Sequence, residues 1–288
     1  MIELRAGNYE LSIEPNRGGS VARFDWNGLP LFRQSFGSSM LQTACFPLVP
    51  FSNRIADGVI ANIPDIPRLA PNMPDVDAYN PIHGFGWVSA WTASKAHDAN
   101  VILNHSQDAG PWPWRYSAQQ RFSLSQDGLE IEILVQNDDH KPMPAGIGFH
   151  PYFPREAATV LHGMHTGECQ NDARGIPFEV TRHAAPIDWW AGAPVETRHV
   201  DTGYSGRSGP LMIDWPNRDL RLSIEPDARL SETVIYIPAG EDYFCVEPVS
   251  HLTNAINRPE LGGPMALLQP GEMLKASVTF KACFLSQV

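Results

Sequence analysis

The histidine of segment 146–154, which reads Gly-Ile-Gly-Phe-His-Pro-Tyr-Phe-Pro, is the first candidate for chemistry. Pro151 restricts His150 to an extended conformation and the glycines before it permit turns, so the segment predicts a stiff corner beside aromatic rings. An imidazole exchanges protons near neutral pH, which makes His150 a candidate general acid or base. The alternative is a packed aromatic turn whose histidine bonds a buried partner, and the segment taken alone favours that alternative.

A carboxylate follows an apolar and aromatic run farther along the chain. Glu247 comes after Tyr-Phe-Cys-Val and before Pro248, which predicts a strand that ends at the proline. If the side chain points inward, loss of water raises the pKa of Glu247 toward the range of a useful base. The alternative is a glutamate at a strand end that faces water.

Three polar residues in other segments are candidates for binding. Arg54 lies where an apolar run meets a turn, and its guanidinium could bind sugar hydroxyls or a carboxylate. The alternative for Arg54 is a salt bridge to Asp57 or another acid. His83 lies among glycines and aromatic residues, where the alternative is a surface histidine. Asp201 lies in a loop-like stretch, where an aspartate usually caps a turn.

Aromatic residues crowd the segment 110–116, Gly-Pro-Trp-Pro-Trp-Arg-Tyr. Their flat faces would suit the C–H faces of a sugar. Packing in the core at a sheet edge explains the same residues equally well, and the sequence leaves both interpretations open.

The elements that must position these residues are strands. Apolar residues recur with a period of two, and turn sequences such as Asn27-Gly28 separate the runs. The clearest runs are 9–14, 22–26, 29–32, 122–124, 129–135, 220–224, 235–237 and 274–282. A short helix is predicted near Pro186 to Trp190. Because no long amphipathic helices separate the strands, the pattern predicts an all-β sandwich or barrel, with residues 1–288 in a single domain.

Composition excludes several classes of function. The formal net charge of the 288 residues is −11, and a chain without a basic field does not attract nucleic acid. The cysteines are far apart and form no C-x-x-C pair, which predicts reduced thiols rather than a zinc site or disulfides. The N-terminus lacks a signal-peptide pattern and no apolar run approaches about 20 residues, so we expect a soluble cytoplasmic protein without membrane contact.

The order of the candidate segments, more than any one of them, points to a family. Over roughly residues 5 to 283 the chain resembles the aldose 1-epimerase (galactose mutarotase) family. The His150 and Glu247 segments carry the most specific similarity. The matching segments are, in chain order, Asn53-Arg54-Ile55, His83-Gly84, the tryptophan segment 110–116, Asn137, Gly148-Phe149-His150-Pro151-Tyr152-Phe153, Asp201 and Val246-Glu247-Pro248.

The resemblance implies a fold and a set of roles. The fold is a large antiparallel β-sandwich (galactose mutarotase-like), with the sugar in a cleft on one curved sheet. Glu247 matches the general base and His150 the general acid, whereas Arg54, His83 and Asp201 match residues that hold the sugar hydroxyls. The implied activity is that of an isomerase of hexose metabolism that exchanges the α and β anomers of a free aldohexose. The resemblance implies no metal or other cofactor. It implies a monomer or homodimer that binds a small sugar as its partner.

Two other functions stay open. Related hexose-6-phosphate 1-epimerases share the acid–base pair and add cations for the phosphate, for which Arg17, Arg68, Arg115 and Arg207 are candidates in predicted loops. A non-catalytic carbohydrate-binding protein could also have this fold, since fold does not determine function. Phe85 stands where galactose-specific members usually carry a glycine, so the resemblance does not select galactose as the substrate.

Overall fold

Strands dominate the computed structural model, which describes residues 1–97 and 99–287. Their bounds are β1 Ile2–Ala6, β2 Tyr9–Glu14, β3 Ser20–Trp26, β4 Leu29–Pro30, β5 Cys45–Leu48, β6 Thr92–His97, β7 Asn100–Gln107, β8 Tyr116–Ser125, β9 Gly128–Asn137, β10 Met143–Ala145, β11 Gly148–Pro154, β12 Val160–Asn171, β13 Pro177–Asp188, β14 Val200–Ser205, β15 Ser208–Trp215, β16 Leu220–Pro226, β17 Glu232–Ile237, β18 Tyr243–Val249, β19 Ala266–Leu268 and β20 Met273–Phe284. The helical segments are α1 Pro259–Gly262 and short 3-10 turns at Met40–Gln42, Ala56–Gly58, Gly86–Val88, Val195–Thr197, Pro216–Arg218 and Leu285–Gln287. Within the described ranges, no helix has the length and apolar character that a membrane span requires.

The turn chemistry of the sequence predicts the hairpins correctly. β2 pairs with β3, and β3 continues through Asn27-Gly28 into β4, which ends at Pro30, two residues before its predicted end. Asn27 and Gly28 have φ values of 51° and 75°, the left-handed backbone that a two-residue hairpin turn requires. β8 and β9 pair around Gln126-Asp127. In β20 the residues Ala276, Val278 and Phe280 are buried and those between them are less buried, which is the predicted alternation.

The short helix predicted near Pro186 to Trp190 is wrong. Strand β13 runs to Asp188, which pairs with Met164 of β12. The Asp188 carboxylate also accepts hydrogen bonds from the backbone N–H groups of Gly163 and Trp190. The backbone of this segment is therefore committed to a neighbouring strand, a long-range contact that the local sequence does not contain.

The predicted all-β antiparallel sandwich is confirmed. In the described part of the chain, 18 strands form one antiparallel sheet that folds over into two layers. The first layer has the order β1-β2-β3-β5-β11-β18-β17-β14, and the second has the order β15-β16-β20-β9-β8-β7-β6. Strand β12 joins the layers, because Gly167 pairs with β14 whereas Val160 pairs with β15.

The core lies between the two layers. Tyr9 and Phe24 of the first layer stack with ring centroids 5.7 Å apart, and Phe280 of the second layer meets Phe24 edge-on at 6.3 Å. The Ala282 amide of β20 donates to Tyr9 Oη at 2.8 Å, so the buried hydroxyl is satisfied. These three rings are at most 2% exposed, and burial of a side chain of this size contributes about 1.5–3 kcal/mol.

The aromatic segment 110–116 packs in this core. Trp112 and Trp114 are 0% and 2% exposed, and their ring centroids lie 5.0 Å apart. Trp112 also lies 5.3 Å from the ring of Phe51. Core packing is therefore the correct interpretation of this segment, and a sugar platform built from its tryptophans is excluded.

The outer face of the first layer carries a second, smaller apolar cluster. Phe46 on β5, Tyr152 on β11 and Cys245 on β18 are buried there. Ile82 and Trp87, from the loop that precedes β6, cover them. Because β5, β11 and β18 are buried on both faces, the side chains on their outer face are held in fixed positions.

Gly84 sets how closely the covering loop approaches the sheet. It bridges Val49 and has a φ of 71°, and a Cβ at this position would lie 2.1 Å from the Val49 carbonyl oxygen. Only glycine fits such a contact. The close approach brings the preceding residue, His83, down onto the outer face of the sheet.

Candidate active site

The central strands of the first layer bring His150 and Glu247 together. The register of β11 and β18, in which Tyr152 pairs with Cys245, places His150 directly opposite Glu247. His150 Nε2 lies 3.2 Å from Glu247 Oε1. The two residues are 6% and 2% exposed, so their interaction is little screened by water.

The corner predicted at His150 is wrong, because the residue lies inside a strand. β11 continues past Pro151, and β5 pairs along its other edge, with Phe46 opposite His150. The N–H that Pro151 lacks would face β18, where the ladder is interrupted between Gly148 and Tyr152. The proline is tolerated because its missing donor falls in this gap.

The prediction that the strand of Glu247 ends at Pro248 is also wrong. β18 runs on to Val249, and Pro248 pairs with Thr233 of β17. The inward orientation considered for Glu247 is correct, since the side chain is 2% exposed. A glutamate facing water at a strand end is excluded.

Burial shifts the pKa values of this pair in opposite directions. It raises the pKa of Glu247 well above its usual value, an effect to which Asp201 adds and which Arg54 opposes. Burial, together with the Arg33 cation, lowers the pKa of His150 to about 3. Both shifts arise because a charge is disfavoured away from water. Between the two pKa values the pair holds one proton, and transfer of that proton across the 3.2 Å contact produces a carboxylate and an imidazolium.

The other polar atoms of the pair lack protein partners. Glu247 Oε2 and His150 Nδ1 are buried and form no hydrogen bond with any residue that the structure describes. Buried polar atoms in proteins are almost always hydrogen-bonded. Unpartnered atoms at this position are therefore suited to a polar ligand.

Arg54 is held at the edge of this pair by carboxylates. Its Nε donates to Asp77 Oδ2 at 2.9 Å, and its Nη1 lies 3.9 Å from Asp201 Oδ2. The salt bridge considered from the sequence exists, but with these acids, because Asp57 pairs with Arg174 at 2.8 Å. The guanidinium is thus fixed and still lines the space above Glu247.

His83 is a buried residue, and a surface histidine is excluded. It is 6% exposed, and its ring centroid lies 5.1 Å from that of His150 at an angle of 89°. The Asn53 N–H donates to His83 Nδ1 at 3.3 Å, which leaves the ring proton on Nε2. Burial lowers the pKa of His83 well below its usual value. The side chain is therefore a neutral hydrogen-bond donor.

Asp201 lies on strand β14 rather than in a loop. It pairs with Tyr236 of β17 and is 43% exposed, so it stands at the mouth of the site. Partial loss of water around its carboxylate raises the pKa of Asp201, and the Arg54 cation opposes that shift. The aspartate provides a hydrogen-bond acceptor on the side of Glu247 that faces away from His150.

One cleft of ≈ 230 Å³ contains all five candidates from the sequence, Arg54, His83, His150, Asp201 and Glu247. The rest of its lining is Leu41, Asn53, Val76, Ile82, Tyr152, Tyr236 and Tyr243. The period of a strand could have found two of the tyrosines, since Tyr152 and Tyr243 share a strand face with His150 and Glu247. The others come from loops and from neighbouring strands, for which the sequence carries no comparable signal.

The four arginines considered for a phosphate lie outside the lining of the cleft. All four are bonded to other parts of the chain. Arg17 Nη1 donates to Ser35 Oγ at 2.8 Å, and Arg115 Nη2 donates to the Asp138 carbonyl at 2.7 Å. Arg207 Nη2 donates to backbone carbonyls, including that of Leu230 at 3.0 Å. Arg68 donates to the Asp57 carbonyl and pairs with the Asp57 carboxylate.

The described ranges contain no candidate metal site. No set of three or more His, Cys, Asp or Glu side chains within residues 1–97 and 99–287 is placed to hold a metal ion. The cysteines at 45, 169 and 245 are buried free thiols, and Cys283 is a partly buried one.

The substitution Glu247→Gln should raise thermal stability by an amount that grows with pH. The pKa of Glu247 is higher in the folded chain than in the unfolded chain, where it is about 4.3. Below the lower value both states hold the proton, but as the pH rises the unfolded state ionises alone, which destabilises the wild type by about 1.4 kcal/mol per pH unit. We expect the Tm difference, measured by circular dichroism, to widen by about 3 °C or more between about pH 5 and pH 7. A Tm difference that does not change with pH would contradict a buried, neutral carboxyl group at Glu247.

Comparison with known proteins relates this geometry to a family. The family model described as aldose 1-epimerase matches residues 1–281. YphB of Escherichia coli (strain K12), which is described as uncharacterized, is 29% identical over 287 residues. The match covers 96% of this chain and 97% of YphB.

Solved structures share the fold. A provisionally assigned aldose 1-epimerase from Escherichia coli K12 has a TM-score of 0.89 and 27% identity, with 98% of each chain covered. A galactose mutarotase-like protein from Clostridium acetobutylicum has a TM-score of 0.85 and 21% identity, with 98% of this chain and 94% of that chain covered. The predicted galactose mutarotase-like fold is thus confirmed. Since the family model spans almost the whole sequence, the chain belongs to the aldose 1-epimerase family.

Proposed function

We propose that the protein interconverts the α and β anomers of a free aldohexose. The observation that carries this proposal is the 3.2 Å contact between His150 Nε2 and Glu247 Oε1, buried at the floor of the cleft. The pair holds one proton, and its carboxylate–imidazolium form provides a base and an acid in one place. Arg54, His83 and Asp201 supply donors and an acceptor for sugar hydroxyls around them.

The reaction opens and closes the sugar ring. Glu247 takes the proton of the C1 hydroxyl while His150 gives a proton to the ring oxygen, and the C1–O5 bond breaks to leave an open-chain aldehyde. Rotation about the C1–C2 bond presents the other face of the aldehyde to the C5 hydroxyl. His150 then takes the hydroxyl proton as the ring closes, and Glu247 returns its proton to the new C1 oxygen. No proton is gained or lost over the cycle.

The proton that the buried pair shares supports this assignment. The reaction starts from a carboxylate and an imidazolium, which the pair reaches by moving its single proton across the contact between His150 and Glu247. Burial disfavours each charge when it stands alone, and the attraction between the two opposite charges across this contact offsets part of that cost. His83, a neutral donor beside His150, is placed to hold the ring oxygen or a neighbouring hydroxyl.

Size and charge favour a free monosaccharide over a sugar phosphate. The cleft volume of ≈ 230 Å³ is below the range of about 300–1,000 Å³ that is typical of drug-sized ligands. Arg54 is the arginine in the cleft lining, and it is already paired with Asp77 and close to Asp201. Two carboxylates around one guanidinium leave no excess positive charge for a phosphate.

Polarimetry tests the proposal directly. Freshly dissolved α-glucose, α-galactose and glucose 6-phosphate would each be followed with and without the protein. We expect the optical rotation of at least one free hexose to reach equilibrium faster with the protein. Acceleration for the phosphate alone would establish the phosphosugar activity instead, and sugar binding without any acceleration would establish a binding protein.

A further inference from the structure

Tyrosines form a wall on the His150 side of the acid–base pair. Tyr152 lies two residues after His150 on the same face of β11, with ring centroids 4.8 Å apart. Tyr243 of β18 meets Tyr152 edge-on at 5.2 Å. Both tyrosines line the cleft together with Leu41. The space beside His150 is therefore bounded by aromatic and aliphatic surface.

Arg33 fixes this wall from behind. Its guanidinium carbon lies 4.0 Å from the ring centroid of Tyr152 and 4.4 Å from that of Tyr243. Its Nη2 donates to the carbonyls of Leu41 and Thr43 at 2.7 and 2.9 Å. The positive charge of Arg33 thus interacts with the faces of the two tyrosine rings and with backbone carbonyl oxygens. Arg33 lies outside the lining of the cleft, so it holds the rings rather than the ligand.

The hydroxyls of the cleft tyrosines are available to a ligand. Those of Tyr152, Tyr236 and Tyr243 form no hydrogen bond within residues 1–97 and 99–287, although all three side chains line the cleft. Tyr152 is only 2% exposed, and what is exposed faces the cleft. A phenol so placed offers one donor and one acceptor to a bound molecule.

The strand order determines which end of a sugar meets which wall. His150 and Glu247 lie in one row across β11 and β18, and the next row across β11, β18, β17 and β14 contains Tyr152, Cys245, Tyr236 and Asp201. In an aldopyranose the ring oxygen is bonded to C5, and C1 is bonded to C2. With the ring oxygen at His150, the C1 hydroxyl at Glu247 and the rest of the ring over this second row, C2 lies toward Asp201 and C5 lies toward Tyr152.

We propose that Tyr152 determines specificity by contacting the substituent on C5, and that the Arg33–Tyr243 stack positions it. This inference rests on the proposed function and narrows its substrate class. The wall offers a phenol hydroxyl and ring faces but no free cation. It therefore accepts a neutral substituent, of which CH₂OH is best bound, and it excludes a carboxylate or a phosphate. The substrates are neutral aldopyranoses, with hexoses preferred to their 6-deoxy analogues.

The test compares glucose with 6-deoxyglucose, two sugars that differ only in the hydroxyl on C6. In Tyr152→Phe, the ratio of kcat/KM for glucose to that for 6-deoxyglucose should fall about three- to tenfold, the effect of one neutral hydrogen bond. Tyr236→Phe is the matched control, because it removes a phenol on the Asp201 side of the pair. The control should reduce kcat/KM for both sugars alike and leave the ratio unchanged.

Several outcomes would overturn the inference. An unchanged ratio in Tyr152→Phe is one, and a wild-type kcat/KM for glucuronate or glucose 6-phosphate above that for glucose is another. Arg33→Met should shift the ratio in the same direction as Tyr152→Phe, and an unshifted ratio would remove the positioning role of Arg33. If the wild type accelerates mutarotation of no sugar, the proposed function fails. In that case, calorimetry gives the dissociation constants of glucose and 6-deoxyglucose. A ratio of the two constants that is the same in Tyr152→Phe as in the wild type would contradict the contact with Tyr152.

Discussion

Replacement of Glu247 by Gln, or of His150 by Asn, should lower kcat by at least about 100-fold, the lower end of the contribution of a general acid or base. A glutamine side chain cannot take the proton of the C1 hydroxyl, and an asparagine side chain cannot deliver one to the ring oxygen. Both substitutions keep a polar group of similar reach. Polarimetry at saturating sugar measures kcat, and circular dichroism shows whether each variant is folded.

Glu232→Gln is the matched control for this experiment. Glu232 on β17 is also a buried glutamate, 6% exposed, and burial raises its pKa to about 7. It lies outside the lining of the cleft, so its substitution should leave kcat unchanged. Retained activity in both Glu247→Gln and His150→Asn would contradict the acid–base assignment. An equal loss in Glu232→Gln would show that any change in buried charge has the same effect.

The double variant adds a second criterion. Because Glu247 and His150 share one proton across a 3.2 Å contact, they act as a unit. Groups that act as a unit show strongly non-additive losses. Glu247→Gln combined with His150→Asn should therefore lose little more activity than the more severe single variant. A loss equal to the product of the two single losses would mean that the residues act independently.

Much of the fold could be predicted because its signals are local. The alternation along β20 and the turn at Asn27-Gly28 are visible within a few residues, since neighbours determine strand faces and turn φ values. The candidate site could be predicted from short segments whose order matched a family. Each segment carries its own residue, so the prediction did not require knowledge of how the strands pair.

What the sequence did not predict depends on pairing between distant segments. Pro151 and Pro248 indicated a corner and a strand end, yet both lie inside strands, because a proline is tolerated wherever no partner needs its N–H. The acid that pairs with Arg54 is Asp77 rather than Asp57, and the path of a loop decides this. Such contacts have no signature in the residues on either side.

The substitution Arg54→Ala should lower kcat/KM for the sugar by about 10–100-fold, mainly through KM. Arg54 uses Nε and Nη1 for Asp77 and Asn53, and Nη2 has no hydrogen-bond partner within the described ranges. A hydrogen bond from a charged donor contributes about 1.5–3 kcal/mol, and about 1.4 kcal/mol is a factor of ten. A sugar hydroxyl remote from C1 is bound alike in the ground and transition states. Loss of the hydrogen bond from Arg54 to such a hydroxyl therefore raises KM.

Arg174→Ala distinguishes contact with the sugar from a general change in charge. Arg174 pairs with Asp57 at 2.8 Å outside the cleft lining, so its removal takes the same charge from a neighbouring loop. Equal losses of kcat/KM in Arg54→Ala and Arg174→Ala would mean that the positive charge acts only through its electrostatic field and not through contact with the sugar. Arg54 also opposes the rise in the pKa of Glu247, so Arg54→Ala should raise that pKa further and make the carboxylate harder to form. Because the neutral pair and its carboxylate–imidazolium form hold the same single proton, any accompanying loss of kcat should be independent of pH while the pair holds that proton. An unchanged kcat would leave Arg54 with a binding role alone.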